Sequence, residues 1–327
     1  MKKYVPNLFI RACFVGILSL AGPLTFGQYI FFDKPIYEIG INLGPSNFLG
    51  DLGGNPGRGT TFLKDNSFKT TNFMKGLYVS ARPSEFIGFT LAVNFTRLEG
   101  ADSLIIDKGG LEVARKLRNL SFRSSLVEAT LTSEIYPLVF LEEDDKDLYH
   151  KFRPYGVIGV GVFHFNPQAQ YIAPGGAAQW VDLKPLRTEG EGMPNYPNRK
   201  EYSLTQINIP YGVGIRYYFS NKVSIGFELV TRKTFTDYID DVSTTYISDS
   251  EFDNYFGAGS QTAAIAKQVA NKSAMVGPGT RIPGYNAGNK RGTTTNNDAY
   301  YTGTIKLGIR LDRPDHSSIQ TRCPLRF

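Results

Sequence analysis

The residues of this 327-residue chain best suited to chemistry are three histidines, two cysteines and several acidic clusters, and their spacing decides what they can do. His150, His164 and His316 stand too far apart to form the closely spaced pair that opens a zinc motif. Glu142-Glu143-Asp144-Asp145-Lys146-Asp147 lacks the alternation and the glycine of a calcium loop, and Asp240-Asp241 with Asp249, Glu251 and Asp253 comes no closer. Both runs read as solvated charge. The segment GDLGGNPGRG, Gly50 to Gly59, has the glycines of a phosphate loop without its Gly-Lys-Ser/Thr ending, so it reads as tight turns. No Ser/His/Asp set or carboxylate pair is recognisable by spacing. The expectation is therefore no catalytic residue, no metal, no cofactor and no enzyme.

The elements that must carry these residues begin with the compartment. Lys2 and Lys3 precede an apolar run from Val5 to Phe26, and small residues at Thr25 and Gly27 frame a cut before Gln28, the pattern of a secretory signal peptide over 1–27. Removing Lys2, Lys3 and Arg11 from the 36 basic residues leaves 33 against 30 acidic, a net charge of +3. That balance gives no support for nucleic-acid binding. No later stretch has the roughly 18 uncharged apolar residues of a spanning helix, and mean hydropathy is only −0.22. Any membrane crossing must then be made by strands.

Eight segments have strand character: Ile36–Gly44, Lys75–Arg82, Ile87–Leu98, Asn119–Tyr136, Arg153–Phe165, Leu204–Phe219, Val223–Phe235 and Asp298–Leu311. The first places Tyr37, Ile39, Ile41 and Leu43 on one face and Glu38, Gly40, Asn42 and Gly44 on the other. The third sets Phe89, Leu91, Val93 and Phe95 against Thr90, Ala92, Asn94 and Thr96. Period-two alternation fits a sandwich as well as a barrel; the connections discriminate. Long ones of about 30, 20, 38 and 62 residues alternate with short ones of about 4, 16 and 3, to within a few residues at each boundary. This is the rule of an up-and-down barrel with short periplasmic turns, long extracellular loops and both termini periplasmic. Tyr37, Phe86, Tyr136, Tyr155, Phe165, Tyr217, Tyr218, Phe219, Phe235, Tyr300 and Tyr301 cluster near strand ends and are expected to form interfacial girdles. The fold class is thus all-β, an eight-stranded antiparallel transmembrane barrel over 28–311, in the outer membrane, with a periplasmic tail over 312–327.

Eight strands enclose a lumen just wide enough for side chains to fill. The facing sends Glu38, Arg82, Glu128, Arg216, Glu228, Arg232, Lys306 and Arg310 into it, a mix of acids and bases expected to plug the barrel by internal ion pairing. If the turn at Ser220 to Lys222 pairs Phe219 with Val223, Arg216 lies diagonal to Glu228 and within its reach. By the same facing, an arginine is expected to cost less at Thr90 than at Leu91. The last loop, Thr236–Asn297, with a short surface helix within Ser260–Met275, is expected to form a cap beside Asn166–Ser203. After signal cleavage Cys323 is the only thiol. It lies in an oxidising compartment, flanked by Arg322 and Arg326 and close to the terminal Phe327. It is expected to form a disulfide with a periplasmic partner, with a free thiol as the alternative.

The segments EIGINLGPSNFLGDLGGNPGRGT, GVGVFHFNPQAQY, LRTEGEGMPNYPNRKEYSLTQINIPYGVGIRYYF, TRKTFTDYIDDVSTTY, RGTTTNNDAYYTGTIKLGIRL and the terminal RCPLRF together resemble the PorG-type barrels of Bacteroidetes. One branch of that family belongs to the type IX protein secretion machinery, and others are paralogues without an assigned role. The resemblance implies an outer-membrane protein, among lipid and lipopolysaccharide, onto which periplasmic ring proteins of the PorK and PorN kind dock. Lys306–Leu311 resembles the assembly signal of a last strand, although the chain runs sixteen residues further. Three functions stand open: a non-enzymatic secretion component anchoring periplasmic partners, a surface-binding or envelope-stabilising barrel, and an enzyme sited in the cap.

Overall fold

The computed structural model describes residues 31–52, 68–107, 109–110, 112–141, 151–220, 222–276 and 282–311. The expected signal peptide, the tail with Arg322, Cys323, Arg326 and Phe327, His150, His316, the acidic run at 142–147 and most of the 50–59 glycine segment lie outside these residues.

Among the described residues nine strands form: β1 (Phe31–Leu49), β2 (Asn72–Ser84), β3 (Ile87–Ala101), β4 (Ser121–Ile135), β5 (Phe152–Ile172), β6 (Ala178–Asp182), β7 (Thr205–Tyr218), β8 (Val223–Thr234) and β9 (Ala299–Arg310). Eight of them close a ring in the order β1-β2-β3-β4-β5-β7-β8-β9, each antiparallel to its neighbours, with β9 returning to β1 through pairs such as Ile41 with Leu307. The expected eight-stranded barrel forms, and one strand stands in addition to it. β5 runs for 21 residues, past the barrel rim, and its last five residues pair with β6 inside the long third connection. β6 is short and mostly exposed, with no clean alternation to betray it.

Alternation fixes the two faces because successive Cβ atoms point to opposite sides of the sheet. Ile39, Leu77, Val79, Phe89, Leu91, Val93, Leu131, Val160, Val213, Phe227 and Ile309 are exposed around the outside, while Glu38, Asn42, Thr90, Asn94, Glu128, Arg216 and Lys306 are buried within. This is an inside-out arrangement: apolar toward the surroundings, polar toward the axis. A closed ring leaves no unpaired strand edge, as a membrane-spanning sheet requires, and Ile87 to Phe95 alone spans about 20 Å of depth once strand tilt is included. No helix among the described residues is long and apolar enough to cross a membrane. The chain is an outer-membrane-type β-barrel.

Two inward glycines make room for a lumen tyrosine. A Cβ on Gly40 would sit 2.5 Å from the Tyr78 ring, and one on Gly308 would sit 2.4 Å from the Tyr78 hydroxyl. Side chains at these positions would push Tyr78 off the axis. The aromatic girdle also needs correcting. Tyr37, Tyr217, Phe219 and Phe235 are exposed, but Tyr136, Tyr155, Phe165, Tyr300 and Tyr301 are buried.

The four long connections lie at one end of the barrel, and the three short ones at the other. A layer of Phe48, Leu98, Phe122, Leu126, Phe163, Phe165 and Tyr300 closes the loop end and takes in Leu52, Leu120, Tyr202, Ile239 and Val242 from the connections. Beyond it the third and fourth connections build a second core. A helix in the second connection, α1 (Glu112–Arg118), stands apart from it. Helices α2 (Asp249–Phe256) and α3 (Gln261–Ala270) bury Phe252, Ala263, Ala266 and Val269 against Leu183, Leu186 and Met193. Ser260 caps α3 by accepting the Ala263 amide.

Candidate functional site

The lumen is the first concentration of chemistry, and strand parity puts it together. Toward the turn end, Glu134 on β4 is its hub. The Arg216 Nη2 atom lies 3.1 Å from Glu134 Oε2, and Lys306 Nζ lies 2.9 Å from Glu134 Oε1. Tyr136 and Thr90 donate hydroxyl hydrogen bonds to the same carboxylate, at 2.6 and 2.9 Å. Arg216 also faces Glu38 at 3.9 Å, and Glu38 accepts from Tyr78 at 2.7 Å and Ser224 at 3.0 Å. Lys306 bridges on to Glu228 at 2.8 Å, which accepts from Tyr155 at 2.7 Å. Arg82 donates to the Tyr218 hydroxyl, and the Arg310 guanidinium lies 4.2 Å from the centre of the same ring.

Toward the loop end the pattern repeats around Glu128. Arg232 Nε approaches it at 3.2 Å, and Asn208, Tyr300 and Asn94 donate to it at 2.8, 2.9 and 3.2 Å. Between the two clusters a cavity of about 30 Å³ remains, bounded by Asn42, Asn94, Glu228, Arg232 and Lys306 among others. That volume admits a water or two. Charges removed from water are tolerable only when paired and hydrogen-bonded, and these carboxylates have several partners each.

All eight expected lumen residues are found on the inner wall. Arg310 is half-buried at the turn end, and Arg82 and Arg310 meet a tyrosine instead of an acid. The expected approach of Arg216 to Glu228 is replaced. The hairpin register is as anticipated, with Arg216 opposite Gly226, but Arg216 reaches across the lumen to Glu134 and Glu38. The hub itself was missed, although Glu134 lies six residues from Glu128 on one strand and so shares its face.

The cap is the second concentration. Arg118 donates to both oxygens of Asp102, at 2.7 and 2.9 Å, and to the backbone carbonyls of Arg291 and Asp51. Arg291 pairs with Glu189 at 2.9 Å and faces Asp241 at 3.9 Å. Glu189 in turn accepts the amides of Ser243 and Thr244, and Asp241 accepts from Tyr202 at 2.6 Å. The solvated-charge reading of Asp240-Asp241 is therefore corrected: both are fully buried, Asp240 holding loop backbone and Asp241 the hydroxyls of Thr188 and Tyr202. Asp240 accepts the Leu52 and Val242 amides, and Asp298 accepts that of Ile239.

Burial raises the pKa of several cap carboxyls. Asp237 and Glu191 are pushed up to about 8 and Asp241 to about 6, and neighbouring carboxylates add to the effect. Asp240 and Asp298 are raised well above the ordinary value by burial, Asp240 further by Asp51 and Asp237, and Asp298 by Asp240 and Asp237. Lys272, buried and facing Arg291, is lowered to about 8. His164 is exposed beside the Thr205 hydroxyl. Among the described residues no group of three or more His, Cys, Asp or Glu is arranged to hold a metal.

Residues 23–258 match the profile of a family described as "Domain of unknown function (DUF6089)". No curated protein sequence matches the chain. Among solved structures, it is similar to the attachment invasion locus protein Ail of Yersinia pestis, at 10% identity and TM-score 0.35 over 85% of this chain and 99% of that one. A major outer membrane protein from Thermus thermophilus aligns at 14% identity and TM-score 0.37, over 85% and 99%. The outer membrane protein OprG from Pseudomonas aeruginosa aligns at 9% and 0.32, over 85% and 96%.

Proposed function

The chain belongs to the DUF6089 family, and from its own geometry we propose that it is a closed outer-membrane barrel that anchors partners and conducts nothing, with both termini periplasmic. One observation carries this reading: the lumen is crossed by Arg216 and Lys306 meeting on Glu134, at 3.1 and 2.9 Å. A transport path needs a continuous wet lumen, whereas this one is filled by paired side chains. What remains is a rigid body spanning the membrane, of the kind an assembly uses as an anchor. The resemblance to PorG-type barrels gives the anchor an identity: a non-enzymatic component of type IX secretion, binding PorK- and PorN-like ring proteins at the turn end and through the tail, with Cys323 as a covalent tether beside Arg322, Arg326 and Phe327.

The test is a crosslinking pull-down from intact envelopes through the C-terminal tail, with non-reducing gels of wild type and Cys323→Ser. Recovery of ring proteins, and a high-mass band lost on reduction and in the variant, is the expected outcome. A chain that crosslinks to no periplasmic protein, in a cell that secretes normally when the gene is deleted, would overturn the secretion role. The folded cap, with its own buried core, favours a second reading: a surface-binding or envelope-stabilising barrel. A deletion that impairs adhesion or envelope integrity while leaving secretion intact would favour it.

A further inference from the structure

Charge is distributed unevenly on the barrel's outer wall. Among the described outward-facing strand residues, the charged ones are Lys75, Arg97, Glu99, Arg123 and Lys233, and all lie toward the loop end. Below them the wall is apolar or uncharged down to the short turns. Three of the four cations are neighbours. Lys75 on β2 stands opposite Phe95 on β3, Arg97 lies two residues above Phe95, and Arg123 on β4 faces Glu99. They therefore climb diagonally across three adjacent strands, starting at the upper edge of the apolar belt. Two strand intervals across the sheet and a rise of four residues along it separate the first from the last, about 17 Å between their Cα positions.

The added strand β6 completes the patch. The Arg123 guanidinium lies over the Trp180 ring, its carbon 4.0 Å from the ring centre, and Arg123 Nε donates to Gln168 on β5 at 2.9 Å. These contacts hold the guanidinium in place and leave its terminal nitrogens for another acceptor. The acidic neighbours are weakly competing. Glu99 lies 4.0 Å from Arg97, and both side chains are partly exposed to solvent that screens the pair. Asp182 is occupied by Asn166 and Gln168. Lys75 has no carboxylate partner among the described residues.

We propose that Lys75, Arg97 and Arg123, flanked by Trp180, form a binding site for the phosphorylated headgroup of an outer-leaflet glycolipid of the lipid A class. Arginine matches phosphate geometry, a tryptophan suits the interfacial depth, and basic residues just beyond the hydrocarbon attract anionic headgroups. Spread over about 17 Å, the three cations favour a headgroup bearing more than one phosphate. The site rests on the outer-membrane reading and fixes the loop end as the outer face.

The chain contains one tryptophan, so Trp180 reports on this site alone. The full chain is inserted into phosphatidylcholine nanodiscs, where heat-modifiable migration scores insertion separately. Bisphosphorylated lipid A is then titrated in while Trp180 emission is followed. A saturable change is expected, with dephosphorylated lipid A and phosphatidylglycerol at matched charge binding far more weakly. Lys75→Gln with Arg97→Gln, which removes no packing contact to Trp180, should weaken binding about fivefold per side chain. Lys233→Gln, on β8 across the barrel, should leave it unchanged. Equal responses to phosphatidylglycerol and lipid A, or identical titrations for wild type and the double variant, would overturn the site while the barrel stands. Failure to insert in phosphatidylcholine would overturn the barrel reading and the site together.

Discussion

Glu134 holds two cations at once, and that makes it the most exposed to single substitution. Replacing it by Gln leaves Arg216 and Lys306 buried with one charge too few. Breaking a buried ion pair from one side costs about 3–5 kcal/mol, because the stranded charge keeps its desolvation penalty. Urea unfolding in lipid vesicles should register that loss; a variant within about 1 kcal/mol of wild type, the range of surface pairs, would mean that the hub is wetter than its contacts indicate. Leu91→Arg probes the opposite face. An arginine near the bilayer midplane should cost about 2–4 kcal/mol in the same assay. The expectation that Thr90→Arg is milder does not hold against the packing. Thr90 is buried and donates to Glu134, so a larger cation there must displace Arg216 or Lys306. Both variants are now expected to destabilise, one through lipid and the other through overpacking.

At the scale of elements, the cap behaves as a unit tied to the barrel by buried carboxylates. Burial raises Asp237 and Glu191 to about 8 and Asp241 to about 6. In the unfolded cap these groups titrate near their ordinary values, close to pH ~4. Below that, both states are protonated and the contribution to stability is fully present. Between about pH 4 and 8 the folded cap retains protons that the unfolded one has released, so stability falls as pH rises. The lowered Lys272 acts in the opposite sense, but only above about pH 8. Amide exchange over 236–276 should therefore slow on acidification from pH 8 to 5, after correction for the intrinsic rate. Protection that weakens instead would show that other groups compensate the carboxylates. The short helix expected within Ser260–Met275 forms as Gln261–Ala270, its start marked by Ser260 and its buried alanines by spacing. β6 had no such local mark, because its pairing depends on the overhang of β5.

For the molecule as a whole, the filled lumen predicts closure. Purified protein in planar bilayers should show little or no conductance, and a stable channel passing sugars would overturn the plug and with it the anchor proposal. The same body should run as a heat-modifiable β-rich species, since a closed ring of eight strands has no edge at which unfolding can begin cheaply. A soluble or helical product on extraction would contradict the fold.

The sequence by itself determined the eight barrel strands, their alternating connections and which face of each turns inward. Those properties are local: the pleat repeats every two residues, and a strand with one apolar face has one way to sit in lipid. Only the tertiary structure decided the partners. Arg216 meets Glu134 and Glu38 because barrel closure and stagger bring β7, β4 and β1 to one level of the axis. Asp240 and Asp241 are buried, against the reading of their run as solvated, because segments from different connections pack over the rim and bring amides to Asp240 and hydroxyls to Asp241 that need acceptors. Facing follows from neighbours in the chain, but contact across a lumen or beneath a cap follows from how far each strand is shifted against the next. No local pattern encodes that.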